Sequence, residues 1–305
     1  MYEAHADADA DRRLLGEIGA EIGRPAQEWG LLADSLWSRI FELGDGSVLK
    51  LVRARSQGLG GGLSKLDREA QILPLLDGLL PPGLTAPRLL DTGRFSEPAS
   101  AYAGWLRLER IEGKTLGPRD LMAMAAPQRE ALGRDLGRAM ARLHRATLPL
   151  LASAAAFGDP IQRCLHDLGD RFNDPEDLDA IAELAQAWAR RADAAVVLHG
   201  DFHLGNLIWQ PDGSLVLLDW AEVGVGAKEA ELRHFVHMSP LADAVWDGYA
   251  ESAPMGLDLR RYRQAGAVDA FLTLAIEGPD LERGQRDRLR RRVDEALAAL
   301  EAWPD

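Results

Sequence analysis

Three short apolar runs, in a half of the chain that otherwise has helical spacing, constrain the fold most. Residues 194–198, 207–209 and 215–218 are aliphatic runs of the length and type found in buried β-strands. A Pro-Asp-Gly-Ser sequence between the last two runs predicts a tight turn. Because a hairpin returns the chain to the point where it began, Asn206 before its first strand and Asp219 after its second are expected to lie close together.

The oxygen-bearing side chains at the ends of these strands predict the chemistry. Asp201 follows the first run and is separated from Asn206 by a short loop, and Asp219 follows the third run directly. Carboxylate and amide oxygens are ligands that Mg²⁺ prefers, and phosphoryl transfer requires such ions to neutralise phosphate charge. We therefore predict Asn206 and Asp219 as metal ligands. Asp201 is predicted to align a substrate hydroxyl and to accept its proton as the catalytic base.

The first third of the chain has mainly β-type patterns. Two runs, 37–43 and 47–52, flank a Gly-Asp-Gly turn and predict a hairpin. Two more strands are predicted at 87–92 and 103–111. A helix is expected at 11–22 and another at 65–79, the second entered from the glycine-rich stretch 58–62.

Helical spacing dominates from residue 118 onward. The apolar residues recur at helical intervals over 128–144, 176–191, 240–252, 257–276 and 281–302. The sequence therefore predicts an α+β protein with two lobes: a small β-rich N-terminal lobe, residues 1–112, and a large, mostly helical C-terminal lobe, residues 113–305.

Composition limits the partners of this 305-residue chain. Its 35 basic and 48 acidic residues give a net charge of −13, which disfavours binding to nucleic acid or to an anionic membrane. The excess of acidic residues either keeps the surface soluble or attracts a cationic substrate. The start of the chain has no apolar leader, no apolar run is long enough to span a membrane, and Cys164 is the only cysteine. A cytoplasmic location is therefore expected, and the sequence leaves the oligomeric state open.

The catalytic segment resembles a known family. The pattern His-Gly-Asp-Phe-His-x-Gly-Asn at 199–206, followed by Leu-Asp-Trp at 218–220, is similar to that of aminoglycoside phosphotransferases and choline kinase-like enzymes, which have a protein-kinase-like fold. The resemblance implies transfer of the γ-phosphoryl group of ATP or GTP, with Mg²⁺, to a small-molecule hydroxyl, with the nucleotide held between the two lobes. The acceptor stays open between an aminoglycoside or other cationic antibiotic and a metabolic alcohol such as choline, homoserine or a sugar.

The resemblance implies further nucleotide-binding residues in the N-terminal lobe. Lys50 on the second strand of the hairpin would bind phosphate oxygens, and Glu69 on the following helix would form an ion pair that orients the lysine. Ser35 and Ser38 lie where a phosphate-covering loop belongs, although this turn has no glycine and also fits a plain surface turn. The stretch that includes Glu109 and Ile111 resembles the hinge whose backbone binds the base.

Two other interpretations apply to the same residues. A hydrolase with His199, Asp201 and His203 as metal ligands would leave Asn206 and Asp219 unexplained. A nucleotide-binding pseudokinase would require the loss of the base or of a metal ligand, and all three are present.

The segment after Asp219 departs from the family pattern and is rich in acid. Glu222 and Glu231 stand near positions where the family has aspartate or another carboxylate. Six acidic side chains could attract a cationic acceptor or form a solvated face: Glu222, Glu229, Glu231, Asp243, Asp247 and Glu251.

Overall fold

A computed structural model describes most of the chain. The described residues are 8–54, 61–95, 101–169, 171–189, 195–210, 212, 214–236, 241–253, 256–277 and 282–301, so residues 58–60 of the glycine-rich stretch lie outside them. The chain divides into two compact units. The first comprises Met1–Pro74 and Pro87–Glu112, and the second comprises Leu75–Ala86 and Gly113–Asp305.

The described residues form the following strands and helices, each kind given in chain order. The strands are β1 Gly30–Asp34, β2 Ser38–Glu42, β3 Ser47–Arg53, β4 Leu84–Thr85, β5 Leu89–Arg94, β6 Tyr102–Glu109, β7 Lys114–Thr115, β8 Val196–Leu198, β9 Leu207–Trp209, β10 Leu215–Leu217 and β11 Gly224–Gly226. The α-helices are α1 Ala8–Glu21, α2 Gly62–Leu76, α3 Pro118–Ala123, α4 Ala126–Ala146, α5 Leu151–Ala155, α6 Pro160–Gly169, α7 Pro175–Ala189, α8 Ala242–Ser252, α9 Leu259–Glu277 and α10 Arg283–Glu301. The 3-10 segments include Leu204–Asn206, Trp220–Glu222 and Lys228–Phe235. The predicted α+β fold, with a β-sheet N-terminal region and a helical C-terminal part, is confirmed.

The N-terminal unit is built on an antiparallel sheet with strand order β1-β2-β3-β6-β5. The predicted β2–β3 hairpin is present, and its turn is closed by Asp45, whose side chain accepts the backbone N–H of Ser47 at 3.1 Å. Ile18 of α1, Leu49 of β3 and Trp105 of β6 pack together in its core. Strand β1 was not predicted, because it is an exposed edge strand that lacks alternation of buried and exposed residues.

The C-terminal unit contains the second predicted hairpin. Strands β9 and β10 pair antiparallel with Leu207 opposite Leu217, and they form the centre of a sheet with order β4-β10-β9-β7. Strand β8 pairs separately with β11. Strands β4, β7 and β11 are not predicted from the sequence, because strands of two or three residues are too short to show a period.

Helices surround these small sheets in the C-terminal unit. A core cluster joins side chains of α6, α7, α9 and α10, among them Leu168, Ile181, Phe271 and Val293. Among the described residues, no helix has the length and apolar character needed to cross a membrane.

The contact between α4 and α8 depends on glycine. A β-carbon at Gly137 of α4 would overlap the backbone of Val245 and Tyr249, and one at Gly248 of α8 would overlap the backbone of Arg134. The two helices therefore approach at backbone distance. This approach brings the Tyr249 hydroxyl to 2.7 Å from Nδ1 of His144 on α4.

We expect Gly137→Ala to lower the free energy of unfolding by about 1–3 kcal/mol, because the added methyl group forces the two backbones apart in a packed interior. Gly16→Ala in α1 is the matched control, since a β-carbon there meets nothing within 4 Å. That control should be neutral or stabilising by up to about 1 kcal/mol, since alanine suits a helix interior better than glycine. Urea unfolding of both variants measures the difference, and equal stabilities would contradict the packing argument.

Candidate active site

The loop that follows β8 turns sharply at Gly200. This residue has φ +84°, and a β-carbon there would overlap the carbonyl oxygen of Glu222. The same carbonyl accepts a hydrogen bond from Nη2 of Arg163 at 2.6 Å, so it is held in place. Only glycine suits this position, because it combines a left-handed backbone with a close backbone contact. The turn brings Asp201 out of the strand direction.

Asn206 connects the loop to the hairpin. Its Nδ2 donates to the backbone oxygen of Asp201 at 2.9 Å and to Oδ2 of Asp201 at 3.0 Å. Both bonds use the amide nitrogen, so they leave the amide oxygen available to a cation. The backbone N–H of Leu218 donates to the carbonyl oxygen of Asn206 at 2.8 Å, which extends the hairpin pairing by one step and places Asp219 directly beyond it.

Asp219 has an unusual backbone. Its φ of 59° and ψ of 69° lie in the left-handed region, and among the described residues it is the one non-glycine residue with positive φ. Aspartate tolerates this region better than most residues, and strained residues of this kind cluster at functional sites. The next residue, Trp220, is fully buried and donates its Nε1–H to the carbonyl oxygen of Leu217 at 2.9 Å. The buried indole therefore fixes the turn that carries Asp219.

His199 is a buried structural residue of the loop. Its Nε2 lies 2.8 Å from the carbonyl oxygen of Leu218, and its Nδ1 accepts the backbone N–H of Asp201 at 3.2 Å. Complete burial lowers the pKa of this imidazole and outweighs the nearby carboxylates that would raise it, so the ring is neutral. With both ring nitrogens in use, His199 does not suit the metal-hydrolase interpretation. The described residues contain no cluster of three or more His, Cys, Asp or Glu side chains able to hold a metal.

Glu231 supports the loop from within the protein. Its carboxylate is fully buried and accepts the backbone N–H of His199 at 2.6 Å and that of Gly200 at 3.0 Å. Burial would raise the pKa of Glu231, but the contacts with His144 and with the backbone donor of His199 outweigh it and lower the pKa. The ionised glutamate therefore fixes the backbone just before Asp201, which accounts for the acidic residue noted at this point of the sequence.

The carboxylate of Asp201 lies among basic groups. Its Oδ2 is 3.5 Å from Nε2 of His203, and its Oδ1 is 3.1 Å from Nε2 of His234. Burial would raise the pKa of Asp201, but the two imidazoles outweigh that effect and hold the pKa well below its usual range. Asp201 is therefore a carboxylate at neutral pH, able to accept a hydrogen bond from a hydroxyl.

The N-terminal unit contains the lysine and glutamate pair expected from the sequence. Nζ of Lys50 on β3 lies 2.5 Å from Oε2 of Glu69 on α2, and both side chains are buried. A buried ion pair of this kind fixes the lysine side chain, although it contributes less to stability than a well-packed apolar pair would.

The two predicted serines shape the β1–β2 turn. The Ser35 hydroxyl donates to the carbonyl oxygen of Ser38 at 3.0 Å and accepts the backbone N–H of Ser38 at 3.1 Å. Ser38 is buried, whereas Ser35 is exposed. At the other predicted position, Glu109 ends β6 with an exposed side chain, and Ile111 follows two residues later outside any strand.

The family model described as "Phosphotransferase enzyme family" matches residues 38–269, which is most of the chain and includes Lys50, Asp201, Asn206 and Asp219. The chain belongs to this phosphotransferase family. The resemblance stated from the motif is thereby confirmed, as is the predicted class of enzyme, a phosphotransferase acting on an alcohol group. A search of curated sequences finds no matching relative.

Solved structures of similar fold include antibiotic kinases. Wild-type aminoglycoside 2'-phosphotransferase-IIIa in complex with GDP has a TM-score of 0.64 and 13% identity, covering 96% of this chain and 99% of that chain. An amicoumacin kinase in complex with AMP-PNP, Ca²⁺ and Ami has a TM-score of 0.65 and 15% identity, with coverage of 95% and 96%. The macrolide 2'-phosphotransferase of Brachybacterium faecium has a TM-score of 0.55 and 18% identity, with coverage of 97% and 99%. At these identities the likeness concerns the fold, which agrees with the two-lobe prediction.

The acidic residues after the catalytic segment of this phosphotransferase do not form one open cluster. Glu229 is fully buried, and its Oε1 accepts the backbone N–H of Asp258 at 2.8 Å. Glu251 lies 2.6 Å from Arg134 and 2.8 Å from Arg138 on α4. With Glu231 bound to the loop backbone, several of the predicted acceptor-attracting residues therefore serve packing or surface ion pairs.

Two residues near Asp201, His234 and Asp269, are not predicted by the sequence. Nδ1 of His234 lies 2.8 Å from Oδ1 of Asp269 on α9, and its Nε2 faces Asp201. Neither residue belongs to a recognisable motif, and they are far from Asp201 along the chain. The packing of α9 against the segment Lys228–Phe235 brings them together, so only the tertiary structure reveals them.

We expect Glu69→Gln to lower the free energy of unfolding by about 3–5 kcal/mol, because it removes the negative charge that lies 2.5 Å from the buried Lys50 ammonium. The double variant Lys50→Met with Glu69→Leu should regain most of that stability, since an apolar pair avoids the desolvation cost. Urea unfolding measures both effects. A double variant no more stable than Glu69→Gln would contradict this account of the pair.

Proposed function

We propose that this phosphotransferase transfers the γ-phosphoryl group of ATP, or of GTP, to a hydroxyl of a small molecule. One observation carries the proposal: Asn206 is hydrogen-bonded to Asp201 through its amide nitrogen and to Leu218 through its backbone oxygen, and Asp219 directly follows Leu218. That arrangement supports a metal site next to a separate carboxylate, which is what phosphoryl transfer to an alcohol requires.

The donor set fits a hard divalent cation. Asn206 offers an amide oxygen and Asp219 offers a carboxylate on a rigid turn, and both are oxygen donors of the type that Mg²⁺ prefers. When bound, Mg²⁺ supplies positive charge to the phosphate oxygens. Asn206 and Asp219 are therefore proposed to hold Mg²⁺ together with the phosphates of the nucleotide.

Asp201 is proposed to act on the acceptor. Its ionised carboxylate accepts a hydrogen bond from the acceptor hydroxyl and orients the oxygen toward the γ-phosphorus. As the new phosphorus–oxygen bond forms and the bond to the leaving diphosphate breaks, the hydroxyl proton passes to Asp201. The low pKa of Asp201 supports a late proton transfer, because a weak base accepts the proton only when the hydroxyl has become acidic.

The remaining predicted residues are proposed to bind the nucleotide. Lys50, held by Glu69, supplies a positive charge for the phosphates, and the turn that includes Ser35 and Ser38 supplies backbone donors to them. The backbone of Glu109 and Ile111 is proposed to bind the adenine or guanine base of the nucleotide, which leaves ATP and GTP as alternatives. A cytoplasmic location, where both nucleotides are available, fits such an enzyme and is proposed with it.

The acceptor proposed first is an aminoglycoside or another cationic antibiotic. The net charge of −13 favours a cation, and the similar structures include an aminoglycoside phosphotransferase and an amicoumacin kinase. A metabolic alcohol such as choline, homoserine or a sugar is the alternative acceptor class.

The test is formation of ADP or GDP from the Mg-nucleotide in the presence of each member of an acceptor panel. The panel contains an aminoglycoside, a macrolide, amicoumacin, choline, homoserine and a simple sugar, and mass spectrometry identifies the phosphorylated product. We expect one acceptor class to stimulate nucleotide consumption with stoichiometric product. Tight binding of Mg-nucleotide without consumption across the whole panel would instead support a pseudokinase.

A further inference from the structure

His234 lies between two carboxylates beside the catalytic segment. Its Nε2 is 3.1 Å from Oδ1 of Asp201, and its Nδ1 is 2.8 Å from Oδ1 of Asp269. The side chains of His234 and Asp269 are only 15% and 11% exposed, so water competes weakly for these contacts. The three groups form a chain that begins at the base and ends on α9.

A protonated imidazole suits this position, because Nδ1 and Nε2 of His234 lie 2.8 Å and 3.1 Å from carboxylate oxygens. Among the described residues Nε2 has no hydrogen-bond partner, so its contact with Asp201 is an ion-pair contact. Burial and the neighbouring Arg233 lower the pKa of His234, but the carboxylates of Asp269 and Asp201 outweigh them and raise it. His203 is a further titratable neighbour, and its ring centroid lies 5.3 Å from that of His234.

Asp201 is held at both of its oxygens. Nδ2 of Asn206 donates to Oδ2 at 3.0 Å, while His234 lies against Oδ1. Contacts on two oxygens fix the plane of a carboxylate, whereas one contact leaves it free to rotate about its χ2 angle. Glu231 and Arg233, in the same 3-10 segment as His234, bind the loop backbone. Nη2 of Arg233 also lies 3.9 Å from Oδ1 of Asp201, so His234 at 3.1 Å is the nearer of the two basic groups to that oxygen.

We propose that His234, oriented by Asp269, is a positioning residue that fixes the carboxylate plane of Asp201 for the acceptor hydroxyl. The proposal rests on the proposed function of Asp201 and adds two residues to it. His234 transfers no proton in this scheme and acts only by its contact with the carboxylate. Its role is to leave the free lone pairs of Asp201 directed at the acceptor.

Kinetics of single and double variants test the coupling. We expect His234→Ala and Asp269→Ala each to lower kcat by roughly 5–30-fold, the size of coupling between residues in contact, with KM for Mg-ATP little changed. The double variant should be no slower than His234→Ala alone, because Asp269 acts through His234. His234→Gln, which keeps one donor for Asp201, should recover part of kcat. Independent, multiplicative losses in the double variant would overturn the proposal.

Matched controls separate this effect from general damage. His166→Ala on α6 and Asp287→Asn on α10 remove an exposed histidine and an exposed carboxylate and should leave kcat unchanged. If the alanine variants do not fold, Asp269→Asn replaces them, since it keeps the shape and the acceptor atom but removes the charge. The loss of activity at high pH should then begin at a lower pH than in the parent, because His234 loses its proton more easily. An unchanged pH profile in a folded Asp269→Asn variant would overturn the proposal.

A spectroscopic measurement needs no acceptor. Long-range ¹H–¹⁵N spectra of the imidazole rings, assigned through His234→Gln, report protonation of each nitrogen. We expect both nitrogens of His234 to stay protonated above the ordinary histidine pKa, and Asp269→Asn to lower that pKa. A His234 that is neutral in the parent at pH 7 would overturn the inference. Failure of the proposed function would be seen in a different measurement. If Asp201 is not the base, the Asp201→Asn variant retains turnover.

Discussion

Asp201→Asn is expected to abolish most phosphoryl transfer while Mg-nucleotide binding is retained. Removal of a positioned base typically costs about 10²–10⁴-fold in rate, and we expect kcat to fall within that range. Asparagine is isosteric, and its amide oxygen can still accept the hydrogen bond from Asn206, so the loop should keep its shape. The loss would therefore report the missing carboxylate and not a collapsed site.

The measurement is product formation under saturating Mg-nucleotide and acceptor, with nucleotide affinity determined by calorimetry on the same samples. His203→Gln is a useful comparison, because His203 also contacts Asp201 but at 3.5 Å and from a partly exposed position. It should lose far less activity than Asp201→Asn. An Asp201→Asn enzyme that keeps kcat near that of the parent would remove Asp201 from the base role.

Asp219→Asn is expected to weaken Mg-nucleotide binding and to lower turnover by about 10³-fold or more, because a bound metal contributes several kcal/mol of charge stabilisation. Asparagine is the appropriate substitution here. The residue has φ 59°, and asparagine tolerates the left-handed region, whereas alanine would add backbone strain to the loss of the ligand.

Metal titration makes this prediction specific to the cation. In Asp219→Asn, high Mg²⁺ or replacement by Mn²⁺, which nitrogen and oxygen ligands bind more tightly, should restore part of the activity. Asp287→Asn serves as the control for loss of an exposed negative charge. Equal affinity of parent and Asp219→Asn for Mg-nucleotide at all metal concentrations would exclude Asp219 as a ligand.

Local sequence patterns were sufficient to predict the two hairpins and most of the helices. The β9–β10 hairpin was predicted at 207–209 and 215–218 and is observed as Leu207–Trp209 and Leu215–Leu217. Helix α4, predicted at 128–144, extends over Ala126–Ala146. These elements are long enough to show a period or have a turn with characteristic residues, so local sequence is informative about them.

The same local information accounts for the candidate site residues near the hairpin. Asn206 and Asp219 flank two paired strands, so their proximity follows from chain connectivity alone. The partner of Lys50 could be expected from the family resemblance, and the structure has Glu69 at 2.5 Å. Short strands such as β4, β7 and β11 were not predicted. They form because they pair with other strands in the folded chain, and they have no local sequence pattern of their own.

By itself the sequence determined the hairpin, the base and metal-ligand candidates, and the family, because each depends on residues that are close in the chain. Only the tertiary structure shows that Glu231 binds the loop backbone, that His234 contacts Asp201, and that Asp269 contacts His234. These contacts join segments far apart in sequence through the packing of α9 on Lys228–Phe235. Such packing depends on the shapes of whole buried surfaces, which no short pattern of residues encodes.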